Sequence, residues 1–266
     1  MKIFITHIDT ACCLIEFGAY KILTDPVLDH AGKFYHHGYG AFSKKTESPM
    51  LENIDLTNID LVLLSHPQHK DNFDTKGRQF AKSAPLILST SKIEQSFKNG
   101  KGLNPWETFI LKSPDKAHEL KITATPAQHH PNWLPAFISG KVVGFYLESD
   151  RSTKSLYISG DTIFFKGISE IAKKLNPTYA LIHVGSAQFR YLTGFGQFTM
   201  DAKGFIKTVQ TLNADLTIPI HNSGWSHFKE SNEGIRKEIT NRQLEEKITF
   251  LERGKRTILS EILDSK

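Results

Sequence analysis

Residues 61–74 read LVLLSHPQHKDNFD. Four consecutive apolar residues, Leu61 to Leu64, stop at Ser65; His66, His69 and Asp71 then follow within six residues, with Asn72 and Asp74 close behind. An apolar run ending in Ser-His-Pro predicts a buried strand that surfaces into a loop. Imidazoles and carboxylates packed this densely form the donor set that borderline divalent cations take. On this stretch alone the lesser, competing reading is a polar loop with two solvated histidines. What decides between the two is whether other strand ends repeat the pattern.

Working outward, the chain before this stretch alternates short apolar runs with turns. Residues 2–7, 11–17 and 20–23 read as strands, the last two joined by a tight turn at Gly18-Ala19. The third ends in Thr24-Asp25-Pro26, where proline stops the ladder and leaves Asp25 at the strand tip. Residues 29–60 show no period and predict a long loop, a feature usually tied to function in compact domains. Downstream the pattern predicts a short helix at 74–81, a strand at 86–88, a helix from about 91, and strands at 107–111, 120–125, 142–148 and 156–159. Helical periods at 166–174, 201–212 and 229–243 then alternate with strands at 179–183, 216–220 and 248–251. No linker, repeat or low-complexity tract interrupts the 266 residues, so one domain over 1–266 is expected.

A hydrophobic content of 39%, with 11% aromatics, suffices for a large core, and no apolar run is long enough to span a bilayer. The opening MKIFITHIDT reads as a strand and not as a secretion signal. Cys12 and Cys13 are neighbours, and adjacent residues of a strand point to opposite faces, so they are expected as free buried thiols in a reducing, cytoplasmic compartment. The net charge of +5 favours anionic partners in general, but the basic residues are scattered, so nucleic acid is not an expected partner.

Four more predicted strands end in ligand-type residues. They are Thr125-Pro126-Ala127-Gln128-His129-His130-Pro131, Ser159-Gly160-Asp161-Thr162, Ile182-His183-Val184-Gly185, and Pro219-Ile220-His221-Asn222. One histidine after a strand is weak evidence, being more often a structural hydrogen-bonder. Several, each at a strand end, predict a shared rim where groups distant in sequence converge on a rigid scaffold.

Taken in order, Thr-Asp-Pro, Ser-His-x-x-His-x-Asp-Asn, Thr-Pro-Ala-x-His, Ser-Gly-Asp-Thr and Pro-x-His resemble the metallo-β-lactamase fold superfamily. The nearest branch is the one containing ascorbate-phosphate lactonases and N-acyl phosphatidylethanolamine phospholipase D. The resemblance runs from Ile3 to about Leu251 and implies an α/β, four-layer αββα sandwich with a metal centre at one edge between two sheets. It further implies that His66, His69 and His129 hold a first ion. Asp161 is then the bridging carboxylate, Asp71 and His221 serve a second ion, and Asp25 braces the ligand loop. His130 is the rival to His129. Zinc is the expected metal, as one or two ions, with manganese or iron as alternatives.

Two departures stand out. The spacing between His66 and His69 is one residue longer than in the family motif, which makes Gln68 an alternative ligand, and Asn72 stands where the family usually has histidine. An amide oxygen is a weaker, harder ligand for zinc than imidazole, so the second site is expected to be weaker or selective for an oxygen-preferring ion.

The chemistry this set supports is hydrolysis, because a cation with an open position brings the pKa of a coordinated water to roughly 7. Asp71 is the candidate to orient that water, and His183 and His227 are candidates to donate a proton at the rim. His7 reads as structural, His30, His36 and His37 as solvated loop positions, and His118 as exposed. Trp133, Phe164, Phe165, Phe189 and Tyr191 read as core or lid packing. The expected activity is metal-dependent hydrolysis of a small ester, lactone or phosphoester, with an anionic substrate favoured by the net charge. The alternatives are a phosphodiesterase or nuclease, and a metal-binding sensor or scaffold without turnover.

Overall fold

The computed structural model describes residues 2–113 and 118–264. Strands β1 (Ile3–Asp9), β2 (Cys12–Phe17) and β3 (Tyr20–Thr24) form an antiparallel meander. Strands β4 (Phe34–Gly38) and β5 (Ala41–Lys44) make a separate hairpin, after which β6 (Leu61–Leu63) joins β3 in parallel. Helix α1 (Thr75–Ser83) leads to β7 (Ile87–Ser89) and β8 (Gly100–Gly102), both parallel to β6. Antiparallel strands β9 (Thr108–Lys112), β10 (Glu119–Pro126) and β11 (Val143–Ser149) open a second sheet, with the short helix α2 (Ala136–Ser139) before β11. Then come β12 (Leu156–Ile158), α3 (Lys166–Leu175), β13 (Tyr179–His183), α4 (Arg190–Thr193), α5 (Ala202–Leu212), β14 (Leu216–Ile220) and α6 (Asn232–Asn241). Finally β15 (Arg256–Ile258) returns to pair with β1, and α7 (Leu259–Asp264) follows it.

The first sheet has the order β15-β1-β2-β3-β6-β7-β8 and the second β14-β13-β12-β11-β10-β9. Alternation along the strands sorts the apolar side chains into three layers. Ile5, Ile15, Ile22 and Leu63 of the first sheet meet Ile122, Phe145, Ile158 and Leu181 of the second in the layer between them. Leu14, Leu23 and Val62 point the other way, toward Ala81 of α1. Tyr157, Ala180 and Ile182 pack under Ile168 of α3, Phe205 and Val209 of α5, and Ile235 of α6. Two sheets face to face, each covered outside by helices, make the αββα sandwich. Cys12 and Cys13 divide between two of these layers as their adjacency requires, and both are buried free thiols.

The structure departs from the sequence expectation in several places. The predicted loop at 29–60 contains the β4–β5 hairpin, whose two-residue connection Tyr39-Gly40 has positive φ at both positions, the geometry favoured by the right-handed twist of a hairpin. The helix expected from about 91 is one 3₁₀ segment, Ser91–Gln95. Residues 248–251 form no strand, only an isolated bridge between Thr217 and Ile248. In the opposite direction, β8 and β15 are edge strands of three residues each, too short and too polar to show a period.

Strand polarity is what places the site. Strands β3 and β6 run parallel in one sheet, β12, β13 and β14 in the other, and β10 shares the direction of β12 through two antiparallel steps. The carboxyl ends within each parallel set therefore open on one edge, where ligand sites of α/β sheets form.

A candidate metal centre at the strand ends

Every residue at this edge follows the end of a buried strand. Ser65 and His66 come just after β6, His129 after β10, Asp161 after β12, and His221 directly after β14. His66, Asp161 and His221 are fully buried, and Asp71 and His129 almost so. In the Ser-Gly-Asp turn, Gly160 has φ +61°, and a Cβ there would lie 2.5 Å from the Val143 carbonyl oxygen and 3.2 Å from the Ser65 side chain. That position accepts only glycine, which is how the turn brings Asp161 against the loop after β6. Asp25 and His221 also hold positive φ, at 32° and 66°. Each is pinned by its own amide: Asp25 N donates to Leu63 O, and His221 N to Thr10 O, both at 2.9 Å.

The side chains gather into two groups. His66, His69 and His129 bring ring nitrogens within 4.8 Å of one another, and Asp71, Asp161 and His221 do the same with carboxylate oxygens and a ring nitrogen. His69 Nδ1 lies 3.0 Å from His66 Nε2 and 3.1 Å from His129 Nε2. The outer nitrogens are already engaged. Ser65 Oγ donates to Asp25 Oδ1 at 2.8 Å and so accepts from His66 Nδ1–H at 2.9 Å, while His129 Nδ1–H donates to Phe198 O at 2.8 Å. With those tautomers, both Nε2 atoms carry lone pairs aimed at His69. One proton on His69 serves one of the contacts well; a cation serves all three.

The second group repeats this logic with oxygens. His221 Nδ1–H donates to Val184 O at 3.3 Å, which turns a lone pair of Nε2 toward Asp161 Oδ1 (3.4 Å), Asp71 Oδ2 (3.6 Å) and Asn72 Oδ1 (3.4 Å). Asn72 Nδ2 donates to Ser65 Oγ and Asp161 Oδ1, each at 3.3 Å, so its carbonyl oxygen is the atom facing His221. Asp71 Oδ1 and Asp161 Oδ2 are buried without a hydrogen-bond partner. Buried carboxylate oxygens left this way are costly unless a cation completes them. The residues present therefore fit one or two divalent ions.

The electrostatics agree with that fit. Burial, and then the neighbouring rings, hold His66 and His129 well below the usual histidine range; burial lowers His221 to about 3, and His69 is lowered as well. All four rings are neutral at neutral pH, the form that coordinates metals. Burial first, then the charges of Asp71 and Asp25, raises Asp161 well above the carboxylate range. Burial also acts upward on Asp71, but the hydrogen bond from His227, with the other histidines around it, outweighs that and holds Asp71 well below. Two buried carboxyls thus share charge unequally, as like charges do when no cation sits between them.

Other sequence candidates find different places. Gln68 turns away, donating to Ser139 O and Lys141 O at 3.0 Å, so His69 is the group facing His66. His130 bonds Pro131 O and stands outside both groups. Asp74 caps α1 by accepting from Gly77 N. His183 does not reach the cavity: it is fully buried behind His221, with Nε2 3.4 Å from Asp25 Oδ2 and Nδ1 3.2 Å from Ser159 Oγ. His227 does line the cavity, with Nε2 3.0 Å from Asp71 Oδ2. His7 is buried against Thr10 O as expected, whereas His118 is half-buried rather than exposed. The group that sequence reading missed is His37. Expected as a solvated loop residue, it lies on β4 with its side chain buried, Nε2 bonded to Ser43 Oγ at 2.7 Å and Nδ1 3.6 Å from Asp71 Oδ1. The Gly38-Tyr39-Gly40 turn beside it was the one local signal that the segment is a hairpin.

A cavity of about 230 Å³ opens above these groups, with His69, Asp71 and His129 at its floor and the hairpin, the 134–139 segment and α4 around its mouth. Among the described residues, no helix is long and apolar enough to cross a membrane.

Residues 20–222 match the beta-lactamase superfamily domain. The chain is 23% identical over 253 residues to a metal-dependent hydrolase of Methanopyrus kandleri, covering 94% of this chain and 97% of that one. It is 27% identical over 239 residues to one from Pyrococcus furiosus, covering 88% and 90%. Among solved structures, an isothiocyanate hydrolase from Delia radicum gut bacteria superposes with TM-score 0.78 at 21% identity, covering 96% of this chain and 98% of that one. A metallo hydrolase of Ignicoccus hospitalis gives 0.68, also at 21% identity, covering 97% and 99%. With its sandwich, its strand-end histidines and carboxylates, and a domain match over most of its length, this chain belongs to the metallo-β-lactamase fold superfamily, among its metal-dependent hydrolases.

Proposed function

We propose that the chain hydrolyses a small ester, lactone or phosphoester, with His66, His69 and His129 holding one divalent ion and Asp71, Asp161 and His221 a second, zinc being the expected metal. The observation that carries this reading is the pair of ligand groups at one cavity floor, with two buried carboxylate oxygens that nothing in the protein completes. Divalent ions there would supply Lewis acidity to the water and to the substrate oxygen.

The chain's own residues have separate tasks. Asp71 Oδ1, free of hydrogen bonds at the floor, takes a proton from the attacking water. His227, its Nε2–H held on Asp71 Oδ2, keeps that carboxylate turned toward the cavity, and Asp71 returns the proton to the leaving oxygen. In an ester, the water oxygen adds to the carbonyl carbon, the bond to the leaving oxygen breaks, and that oxygen departs with the proton; one water is consumed and nothing is oxidised. His183 acts at one remove, gripping Asp25, which in turn holds Ser65 and the His66 loop. The likeness to an isothiocyanate hydrolase adds a carbon electrophile of another kind to the substrates worth assaying.

Elemental analysis of the purified chain, followed by assay on ester, lactone and phosphodiester substrates, tests the reading. Bound metal with turnover supports it. Metal without turnover on any of these substrates favours a sensor or scaffold, and no bound metal removes the proposal.

A further inference from the structure

We infer that the substrate carries an uncharged, apolar arm beyond its reacting ester or lactone group; this rests on the hydrolase reading above. Although the chain carries 33 lysines and arginines, none among the described residues lines the cavity. Two basic groups near the wall are occupied elsewhere. Lys45 is buried against Asp9, and Arg190 lies over the Phe195 ring with Nε on Gln188. A substrate with a charge beyond its reacting centre would bring that charge against a wall offering no partner, and an unpaired charge leaves water at high cost.

What the wall does offer is hydrocarbon. Leu134, Ile138, Phe189, Leu192 and Phe198 rise from the histidine and aspartate floor, on segments that meet only in the folded chain. The apolar surface continues past the mouth through Tyr39, Phe137, Tyr191 and Phe195, all well exposed. Tyr191 ties two sides of that mouth together, its hydroxyl donating to Gly40 O and accepting from Phe42 N. A polar floor beneath an apolar wall orients a molecule whose reactive end is polar and whose other end is not.

The test uses the zinc-loaded full chain and p-nitrophenyl esters with one leaving group throughout. From acetate through butyrate to hexanoate, kcat/KM is expected to rise about fourfold for each methylene that enters the cavity, and then to level off. Hexanoate is expected to exceed the half-ester of adipic acid, its counterpart ending in a carboxylate, by tenfold or more. Leu192→Lys, at a half-exposed wall position, should narrow or reverse that preference. A second readout is independent of turnover: the neutral apolar probe N-phenyl-1-naphthylamine should bind the chain and lose at least tenfold in affinity in Ile138→Glu. A flat chain-length series, or an adipate half-ester hydrolysed as well as hexanoate, overturns the inference and leaves the hydrolase reading standing. Probe binding that responds to Ile138→Glu, with no ester cleaved, leaves the apolar wall standing as a ligand site and counts against ester hydrolysis. A probe that fails to bind, or binds the variant equally, counts against the apolar arm.

Discussion

The two ligand groups at the cavity floor are neighbours built on different principles. His66, His69 and His129 are three neutral rings, two of them fastened from behind by Ser65 and by the Phe198 carbonyl. Asp71, Asp161 and His221 bring two carboxyls and one ring, with the amide of Asn72 in contact with both Asp161 and His221. The first group can stand without an ion at little electrostatic cost, since neutral imidazoles do not repel. The second cannot, because two buried carboxyls side by side either share a proton or take up a cation. The contrast teaches that a site can be pre-shaped in one half and dependent on its ion in the other. Softness differs too: three imidazoles suit zinc, while carboxylates and an amide oxygen lean toward harder ions.

This comparison breaks most sharply if a ligand is removed. His66→Ala and Asp161→Asn are each expected to lose metal and activity together, by more than the roughly 10–100-fold that loss of an outer partner costs. Elemental analysis beside circular dichroism checks this, and retained activity in a metal-free, folded variant would contradict the assignment. Chelation comes next in size. Removing ions present at about 100 times their Kd withdraws roughly 2.7 kcal/mol of stabilisation. For a chain of this length that corresponds to a fall in Tm of about 5–10 °C, restored by titrating zinc. If the second group is the one that needs its ion, Asp161→Asn in the metal-free protein should recover part of the lost Tm and His66→Gln should not.

Smaller effects sharpen the picture. Ser65→Ala removes the hydroxyl that accepts from His66 and donates to Asp25. About a tenfold fall in kcat/KM is expected, with metal content kept near that of the parent; full activity would show that His66 needs no such support. Asn72→His replaces the amide by a softer ligand and is expected to tighten the second zinc by about tenfold, or ~1.4 kcal/mol, without changing the first. Competitive metal titration measures both steps, and an unchanged second step would remove Asn72 from the site.

Much of this arrangement was legible because apolar runs that stop at a histidine or aspartate mark strand ends, and parallel strands place those ends on one edge. That logic located His66, Asp161 and His221 before any coordinates. It favoured His129 over His130 only through the constraint of Pro131, since both follow the same strand; in the structure the Phe198 carbonyl, 69 residues away, engages the His129 ring. Nor did it find His37, whose burial comes from the fold of the β4–β5 hairpin over the floor and not from its own hydrophobic neighbourhood. His183 shows the converse. Its strand-end position was visible, but the residue opposite it is Asp25 and not the cavity, because side chains at a strand end can turn either inward or outward.

By itself the sequence determined most strands and helices and the residue types at the strand ends, because periodicity is a local property; the layer order came with the family resemblance. Which rings gather into one group, which face of a strand end looks into the cavity, and the lack of lysine or arginine among the described residues of its wall were decided only by tertiary structure. Those properties depend on distances between segments up to about 150 residues apart, and a net charge of +5 says nothing about where the charges stand.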